Sequence, residues 1–401
     1  MSWDMIKLDD CLELITYGFT NPMPDAEAGP WKVTAKDIVD GRIDFSTARH
    51  TTMAAFENDL TDKSRPIKDD VLLTKDGTLG RLAIVGDEQI CINQSVALLR
   101  LNKKMLLPRY LLYLLQSPEY QGKMLADAGG STIKHIYITK VNQLQIPVPP
   151  LEMQNKLIDI LFTYDQMIDN CKKQIQLLEE AAQRLYKEWF VDLRFPGHET
   201  TPIVDGVPEG WKHDTINSII ELQSGFAFKS ADFCASGTYK IVTIKNVRDG
   251  LFDGQNVSRI NDIPARMPTH CRLNDGDILL SLTGNVGRVC VVNGQDYLLN
   301  QRVAKIKSDY PAYAYCLFRS SDMFTAMGNL ANGAAQQNLS PIKTGQIKVL
   351  IPPVSLLIHF EVTASAYMKQ MLNLNKQIEL LHQARDRLLP KLMSGEIEVT
   401  S

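Results

Sequence analysis

The sequence predicts an α+β protein built as an internal repeat, in which two similar domains with mostly antiparallel sheets alternate with two long helices. Two observations support this fold class. A series of regularly spaced apolar residues over 157–189 recurs 203 positions later, and short β-rich segments that precede each series recur at offsets between 203 and 209. At 401 residues the chain is also too long for one hydrophobic core.

The first long helix is predicted by apolar residues at alternating steps of four and three, which is the spacing of a coiled-coil seam. The seam residues are Leu157, Leu161, Tyr164, Ile168, Cys171, Ile175, Leu178, Ala182, Leu185 and Trp189. Such a helix would be about 50 Å long. A helix buried in its own domain also has an apolar stripe, but a seam of ten positions whose spacing does not slip, found twice, favours a coiled coil.

The second long helix repeats this series from Phe360 to Leu392, with nine of ten seam positions apolar or alanine. Arg385 is the exception, and we expect it near a helix end or a subunit contact. Proline pairs at 149–150 and 352–353 precede the two helices, which fits helix starts after each domain.

The two domains repeat most clearly in DVLLTKDGTLGR at 70–81 and DILLSLTGNVGR at 277–288. These segments predict short strands that end at glycine-containing turns. Helical spacing in PRYLLYLLQS at 108–117 and AYAYCLFRSS at 312–321 predicts one helix in each domain.

Composition places the chain among ordinary globular proteins, with 44% hydrophobic and 22% charged residues and a net charge of −3. No basic tail is present, so charge alone leaves DNA binding undecided. No apolar run is long enough to cross a bilayer, and MSWDMIKLDD contains no apolar signal core. Seven scattered cysteines without a C-x-x-C pair predict free thiols in a reducing cytoplasm.

Catalytic and metal-binding motifs are not found in the sequence. The seven histidines make no H-x-x-x-H pair and no zinc spacing with cysteine, and no G-x-S-x-G segment occurs. The glycine-rich turns lack the Gly-Lys-Ser/Thr ending of a nucleotide-binding loop. A catalytic role is therefore disfavoured.

The glycine-rich turns are the first candidate nucleic-acid contacts. Arg81 and Arg288 end the repeated Gly-x-x-Gly-Arg element, and each could reach a DNA phosphate. The alternative is a hairpin turn that needs glycine for positive φ, with a solvated arginine. Both interpretations remain open at this point.

A polar loop in each domain is the second candidate. STIKHIYITK at 131–140 aligns with AAQQNLSPIK at 334–343, so that Lys134 faces Gln337 and His135 faces Asn338. These residue types read base edges in the major groove, although an ordinary polar loop has the same composition. The segments KDI at 36–38 and KNVR at 245–248 have the same ambiguity. The candidate DNA-binding residues are Lys36, Lys75, Arg81, Lys134, His135, Tyr137, Lys245, Asn246, Arg248, Arg288, Gln336, Gln337 and Asn338.

Together these segments resemble the specificity subunits of type I restriction-modification systems. The resemblance rests on VPEGW at 207–211, the paired turn segments, STIKHI, FVDLRFPGHE after the first helix, and the IPVPPLEMQ and IPP segments that lead into the helices. Each motif is short, and it is their order and duplication across nearly the whole chain that make the match specific.

The resemblance implies an antiparallel coiled coil that separates two target recognition domains with pseudo-two-fold symmetry. The expected ranges are a first recognition domain at 1–147, a central spacer helix at 148–190, a linker at 191–207, a second recognition domain at 208–352 and a C-terminal spacer helix at 353–396. Each domain would read one half of an asymmetric bipartite target. The alternative is a coiled-coil scaffold that joins proteins without reading bases.

Such a chain would be non-catalytic. Its expected partners are double-stranded DNA, two methyltransferase subunits and a restriction endonuclease and translocase subunit. The chain itself would hold no cofactor, because S-adenosylmethionine, ATP and Mg²⁺ would belong to those partners.

Overall fold

The computed structural model of the chain describes residues 3–126, 135–255, 257–331, 337–397 and 399. Its internal contacts divide it into a first unit, residues 1–167 with 381–401, and a second unit, residues 168–380. Both divisions fall inside long helices, which span Leu151–Tyr186 and Val354–Met393. Each unit therefore combines one sheet domain with a part of each long helix.

The first unit contains a four-stranded antiparallel sheet and a three-stranded sheet with one parallel pair. The four-stranded sheet has the order Leu12–Tyr17, Val96–Leu101, Val71–Thr74 and Leu82–Ile84. The three-stranded sheet has the order Arg49–His50, Ala26–Val33 and Ile90–Ile92. Two further antiparallel pairs join Met5–Lys7 to Gln145–Pro147 and Ile38–Val39 to Arg42–Ile43. The shorter helices are Leu8–Cys11, Ala35–Asp37, Met53–Asn58, Pro108–Gln116, Pro118–Ala126 and Ile138–Val141.

The second unit repeats this plan. Its four-stranded antiparallel sheet has the order Ile220–Ser224, Val303–Ser308, Ile278–Ser281 and Val289–Val291. Its other main sheet has the order Ser258–Ile260, Tyr239–Val242, Tyr297–Leu299 and Arg272–Leu273, again with one parallel pair. Two more pairs join Ile203–Val204 to Val207–Pro208 and Lys212–Thr215 to Lys348–Ile351. The shorter helices are Lys187–Val191, which directly follows the first long helix, and Ile216–Ser218, Ser230–Asp232, Thr269–Cys271, Pro311–Arg319, Ser321–Leu330 and Pro341–Gly345.

The predicted fold class is confirmed, and so is the helix predicted in each domain. Pro108–Gln116 and Pro311–Arg319 both begin at proline, which suits a first helical position because that position needs no amide donor. The predicted strands Val71–Thr74 and Ile278–Ser281 are buried along their whole length, which explains their continuous apolar composition. All seven cysteines are free thiols.

A close backbone approach explains one segment that the two domains share. A Cβ placed on Gly18 would lie 1.8 Å from the Ile92 carbonyl oxygen, and one on Gly225 would lie 2.2 Å from that of Asn300. The residue after each glycine forms an isolated parallel bridge, to Asn93 and to Asn300 respectively. These identical asparagines therefore have a structural role in each unit.

The long helices pair in antiparallel fashion within each unit. In the first unit, Leu157 and Leu161 share a core with Leu389 and Leu392. In the second, the Cys171 thiol lies 3.7 Å from the Gln377 side-chain oxygen, while Tyr186 contacts Phe360 further along. Residue numbers thus rise along one helix as they fall along the other. No seam position of either helix is exposed, which fits the predicted coiled coil.

Arg385 has a partner within the chain, in an ion pair with the first long helix, while the expected subunit contact stays a prediction. Its Nη1 donates to Asp165 Oδ1 at 2.8 Å, and Tyr113 Oη donates to the other carboxylate oxygen at 2.5 Å. We call Asp165, Arg385 and Tyr113 the first polar cluster. It satisfies the one charged residue in the seam.

A second polar cluster, of Glu179, Arg319 and Tyr315, again joins one acid, one arginine and one tyrosine in the second unit. Glu179 accepts from Arg319 Nε at 3.0 Å and from Tyr315 Oη at 2.6 Å. The acid lies on the first long helix in both clusters, but the two acids are not related by the repeat offset. Pro390, for its part, lies inside the second helix and does not end it.

Candidate nucleic-acid interface

The glycine-rich turns connect adjacent antiparallel strands in both units. Thr74 N–H donates to the Arg81 carbonyl at 2.9 Å, and Ser281 N–H donates to that of Arg288 at 2.9 Å. Gly77 and Gly284, which open the turns, have φ values of +77° and +71°. The glycines therefore serve hairpin turns, as the structural interpretation predicts.

Each turn also contacts the polar loop of the same unit. In the first unit, Ile136 N–H donates to the Lys75 carbonyl at 2.9 Å, and the side chains of Asp76 and His135 hydrogen-bond to each other. In the second, Leu339 N–H donates to the Leu282 carbonyl at 2.7 Å. We call Asp76 with His135 the first turn–loop contact.

The second turn–loop contact pairs Thr283 with Asn338, which occupy the corresponding positions and form the corresponding isolated bridge. Asn338 is exposed, as is its neighbour Gln337. The Thr283 hydroxyl is buried and has no hydrogen-bond partner among the described residues. The backbone arrangement is thus retained between units while the side chains that meet there differ.

A third predicted segment joins this region in the first unit. The Thr78 hydroxyl donates to the Ala35 carbonyl at 3.0 Å, and Arg81 Nη1 donates to that of Ile38 at 3.2 Å. Lys36 lies between these two residues and is exposed, with its amine 3.3 Å from the Thr47 carbonyl. The structure therefore brings the Lys36 segment, the turn and the loop together.

The first turn–loop contact is a charged cluster. Lys75 Nζ lies 2.6 Å from Asp76 Oδ2 and 5.3 Å from the centre of the Tyr17 ring. Burial acts to raise the pKa of the Asp76 carboxyl, but hydrogen bonds from Lys75 and His135 outweigh it and hold that pKa below its usual value. Asp76 is therefore a carboxylate at neutral pH. Because its amine is occupied here, Lys75 is poorly placed to contact phosphate.

Sequence reasoning missed two residues of this cluster. Asp76 lies in the repeated turn, and comparison with Thr283 at the same offset would have marked it as a position where the domains differ. Tyr17 is half exposed at the end of its strand, next to the close approach at Gly18. No pattern in the sequence singles out Tyr17.

The prediction that Asn246 contacts DNA does not fit the structure and is corrected. Asn246 is only 3% exposed. Its side-chain oxygen accepts from the Thr243 amide at 2.8 Å, and its nitrogen donates to the Asp253 carbonyl at 2.8 Å. Both ends of the amide are occupied, so the residue shapes the backbone. Asp37 has the equivalent role in the first unit, where its buried carboxylate accepts from the Thr34 amide at 2.9 Å.

The remaining predicted residues are exposed, half-buried or outside the described residues. Tyr137, Lys245 and Arg248 are exposed, and Arg248 forms an ion pair with Asp253 at 2.5 Å. Arg81 is exposed as well, whereas Arg288 is half-buried. Lys134 and Gln336 lie outside the described residues.

The described part of the chain offers no site for a metal ion, since no group of three or more His, Cys, Asp or Glu side chains converges there. Over the same residues, no helix combines the length and apolar character needed to cross a membrane.

Comparison with known proteins adds a family match. The family model of the type I restriction modification DNA specificity domain matches the chain twice, at residues 2–180 and 208–379. The specificity subunits of type I restriction enzymes MjaIX and MjaVIII of Methanocaldococcus jannaschii are 24% and 26% identical over 99% of this chain, and the matches cover 94% and 93% of their own lengths. A crystal structure of the S subunit of a type I restriction-modification system from M. genitalium has a TM-score of 0.52 at 16% identity, covering 100% of this chain and 97% of that one, and shows the same fold.

Proposed function

Because the chain belongs to the family of type I restriction-modification DNA specificity proteins, we propose that it is the DNA specificity subunit of such a complex. Each sheet domain reads one half of an asymmetric bipartite target. The chain has no catalytic activity of its own, and it directs methylation and cleavage by its partners.

One observation carries this proposal most directly. Both units build the same hairpin turn against the same loop, but His135 occupies the contact in one unit and Asn338 in the other. Histidine and asparagine differ in the hydrogen bonds that they offer to base edges. Two related scaffolds with different side chains at the contact are what an asymmetric target requires.

The proposed DNA contacts divide by chemistry. Exposed cations suit phosphate, namely Lys36, Arg81, Lys245 and Arg248, joined by the half-buried Arg288. Exposed or half-buried polar and aromatic side chains of the loops suit base edges, namely His135, Tyr137, Gln337 and Asn338. Lys134 and Gln336 are retained on sequence grounds alone.

Partners supply what the chain lacks. With a net charge of −3, the chain is a weak DNA ligand alone, so DNA binding takes place within an assembly. We assign two methyltransferase subunits to the paired long helices, together with a restriction endonuclease and translocase subunit. S-adenosylmethionine, ATP and Mg²⁺ are held by these partners, and the complex works in the cytoplasm. The long helices set the unread gap between the two half-sites, because readable positions recur about every 34–36 Å along DNA.

A domain exchange tests the assignment of one domain to each half-site. Residues 1–147 are replaced by the corresponding segment of another specificity subunit, and methylated adenines are sequenced in cells that carry the partner genes. We expect one half of the methylated sequence to change and the other half to persist. The matched control replaces residues 208–352 and should alter the opposite half. A change in both halves, or in neither, contradicts the assignment.

The alternative function is a scaffold whose long helices join proteins without reading bases. Footprinting of the chain with its copurifying methyltransferase subunits distinguishes the two functions. A specificity subunit protects one sequence with an unread gap, whereas a scaffold gives no protection or protection without sequence preference.

A further inference from the structure

We propose that Asp76 is a positioning residue that determines how His135 reads a base in the half-site of the first domain. This inference rests on the proposed function and extends it to one pair of side chains. Asp76 holds the His135 ring through Nδ1, so that Nε2 is the ring nitrogen left for DNA. His135 then accepts a hydrogen bond from the exocyclic amino group of adenine or cytosine in the major groove.

The contacts establish the order of the two side chains. His135 Nδ1 hydrogen-bonds to Asp76 Oδ1, while Asp76 Oδ2 receives the Lys75 ammonium at 2.6 Å. The side chain of His135 is 39% exposed and that of Asp76 is 21% exposed. The ring is therefore the outer member of the pair, and the carboxylate supports it from the turn.

Hydrogen-bond chemistry determines what the ring can offer. A carboxylate only accepts hydrogen bonds, so a ring nitrogen that bonds to it must carry the proton. The neutral imidazole then holds its proton on Nδ1 and presents Nε2 as an acceptor. Adenine N6 and cytosine N4 are the amino groups that a base pair displays in the major groove.

In the second unit, the positions of Asp76 and His135 are occupied by Thr283 and Asn338. Thr283 replaces the carboxylate, and its buried hydroxyl has no hydrogen-bond partner in the part of the chain that the structure describes. Asn338 carries both a donor and an acceptor on one amide, so it needs no neighbour to select a tautomer. The reading of the second half-site is consequently independent of residue 283.

Asp76→Asn tests the inference with little change in shape. The Lys75 ammonium can only donate, so it orients the new amide oxygen toward itself and turns the amide nitrogen toward His135. That nitrogen donates to Nδ1, which moves the ring proton to Nε2. The ring then offers a donor, which suits guanine or the thymine O4 rather than an amino group.

The experiment uses the chain copurified with its methyltransferase subunits and a DNA library randomised at both half-sites. At one position of the first half-site, we expect the preference for an amino-bearing base to fall by about tenfold or to reverse in D76N. The second half-site serves as the internal control and should keep its preference. Asp62→Asn, which removes an exposed carboxylate paired with Arg65 in the same domain, should leave both half-sites unchanged.

His135→Ala separates positioning from a purely structural role. This variant should lose discrimination at the same position, and adding D76N to it should change nothing further, because Asp76 acts through the ring. The inference is overturned if D76N leaves the preference unaltered, or if it weakens binding equally on all sequences. It is also overturned if D76N still shifts the preference without His135. If the wild-type complex selects no bipartite sequence, the proposed function itself fails, which is a separate result.

Discussion

The two units share a sheet order but fill the space against the long helices with different side chains. In the second unit Phe190 lies at the centre of an aromatic group, with ring centres 4.9 Å from Tyr313 and 5.0 Å from Phe360. In the first unit leucines such as Leu157 and Leu161 occupy the equivalent core. The repeat has therefore retained backbone geometry while the packing against the helices diverged.

The two polar clusters have also diverged, because similar residues meet at positions that the repeat does not relate. Each unit joins an acid of the first long helix to one arginine and one tyrosine, yet Asp165 and Glu179 are not equivalent by the repeat. The first arginine comes from the second long helix, and the second, Arg319, comes from a short helix of the sheet domain. What the units have in common is the chemistry of the contact rather than its position.

The largest expected effect is the loss of core packing at one pair of equivalent residues, Phe360 and Leu157. Phe360→Ala and Leu157→Ala each remove a side chain that is at most 1% exposed. We expect the free energy of unfolding to fall by about 4 kcal/mol for the phenylalanine and about 3 kcal/mol for the leucine. Urea denaturation measures both. A larger loss for Leu157→Ala would show that the aromatic packing contributes no extra stability.

The polar clusters should be energetically alike despite their different positions. Glu179→Ala and Asp165→Ala each leave an arginine without its principal partner on the first long helix. We expect each to lower the free energy of unfolding by about 2 kcal/mol, because the partly buried arginine then keeps only a more exposed partner, Asp249 or Asp386. Glu179→Gln and Asp165→Asn retain an acceptor and should cost less. If one alanine variant is neutral, the two clusters are not equivalent.

The buried turn residues Asn246 and Asp37 allow residues that shape the backbone to be compared with residues that read bases. Asn246→Asp places a carboxylate against the Asp253 carbonyl, to which the amide now donates, and should cost about 2 kcal/mol. Asp37→Asn should cost about 1 kcal/mol, because the Thr47 hydroxyl that donates to it can reverse its bond. Thermal unfolding reports both changes. Base preference in the methylated target should be unaffected, and a shift would return Asn246 to the DNA contacts.

The smallest expected effect concerns the acid dependence of the first turn–loop contact. The pKa of Asp76 is lower in the folded chain than its ordinary value. At any pH above that ordinary pKa, the ionised carboxylate therefore stabilises the folded state. That contribution is lost as the pH falls through the lowered folded value. We expect the free energy of unfolding of the wild type, measured by urea denaturation, to exceed that of Asp76→Asn by about 0.5 kcal/mol at neutral pH. The difference should vanish in acid. A Thr283→Asn variant of the second unit should show no such pH dependence.

Periodicity predicted the long helices well because every seam position has the same requirement, to be covered by the partner helix. Arg385 departs from that requirement, and its explanation depends on Asp165 and Tyr113, which lie far away in the chain. The repeat of the glycine-rich turn likewise predicted two equivalent hairpins, since glycine at positive φ is a local requirement.

The candidate interface was predicted less completely. Asn246 has the composition of a base-reading residue, and only the placement of Thr243 and Asp253 around it shows that its amide is already occupied. Asp76 was missed for the opposite reason, because its partner His135 lies in a different segment and no local pattern joins them. Contacts between distant segments decide which polar side chains remain available, and a single sequence does not display them.

The division of the chain into units also bears on the order in which it can fold during synthesis. The second unit is one continuous stretch, residues 168–380, so its core can close as soon as that stretch leaves the ribosome. The core of the first unit includes Leu389, Leu392 and Met393, which are made last among its members described here. The domain that is translated first therefore waits longest for its final packing partners. Until then its leucine-lined helix surface is open to chaperones and to other nascent chains.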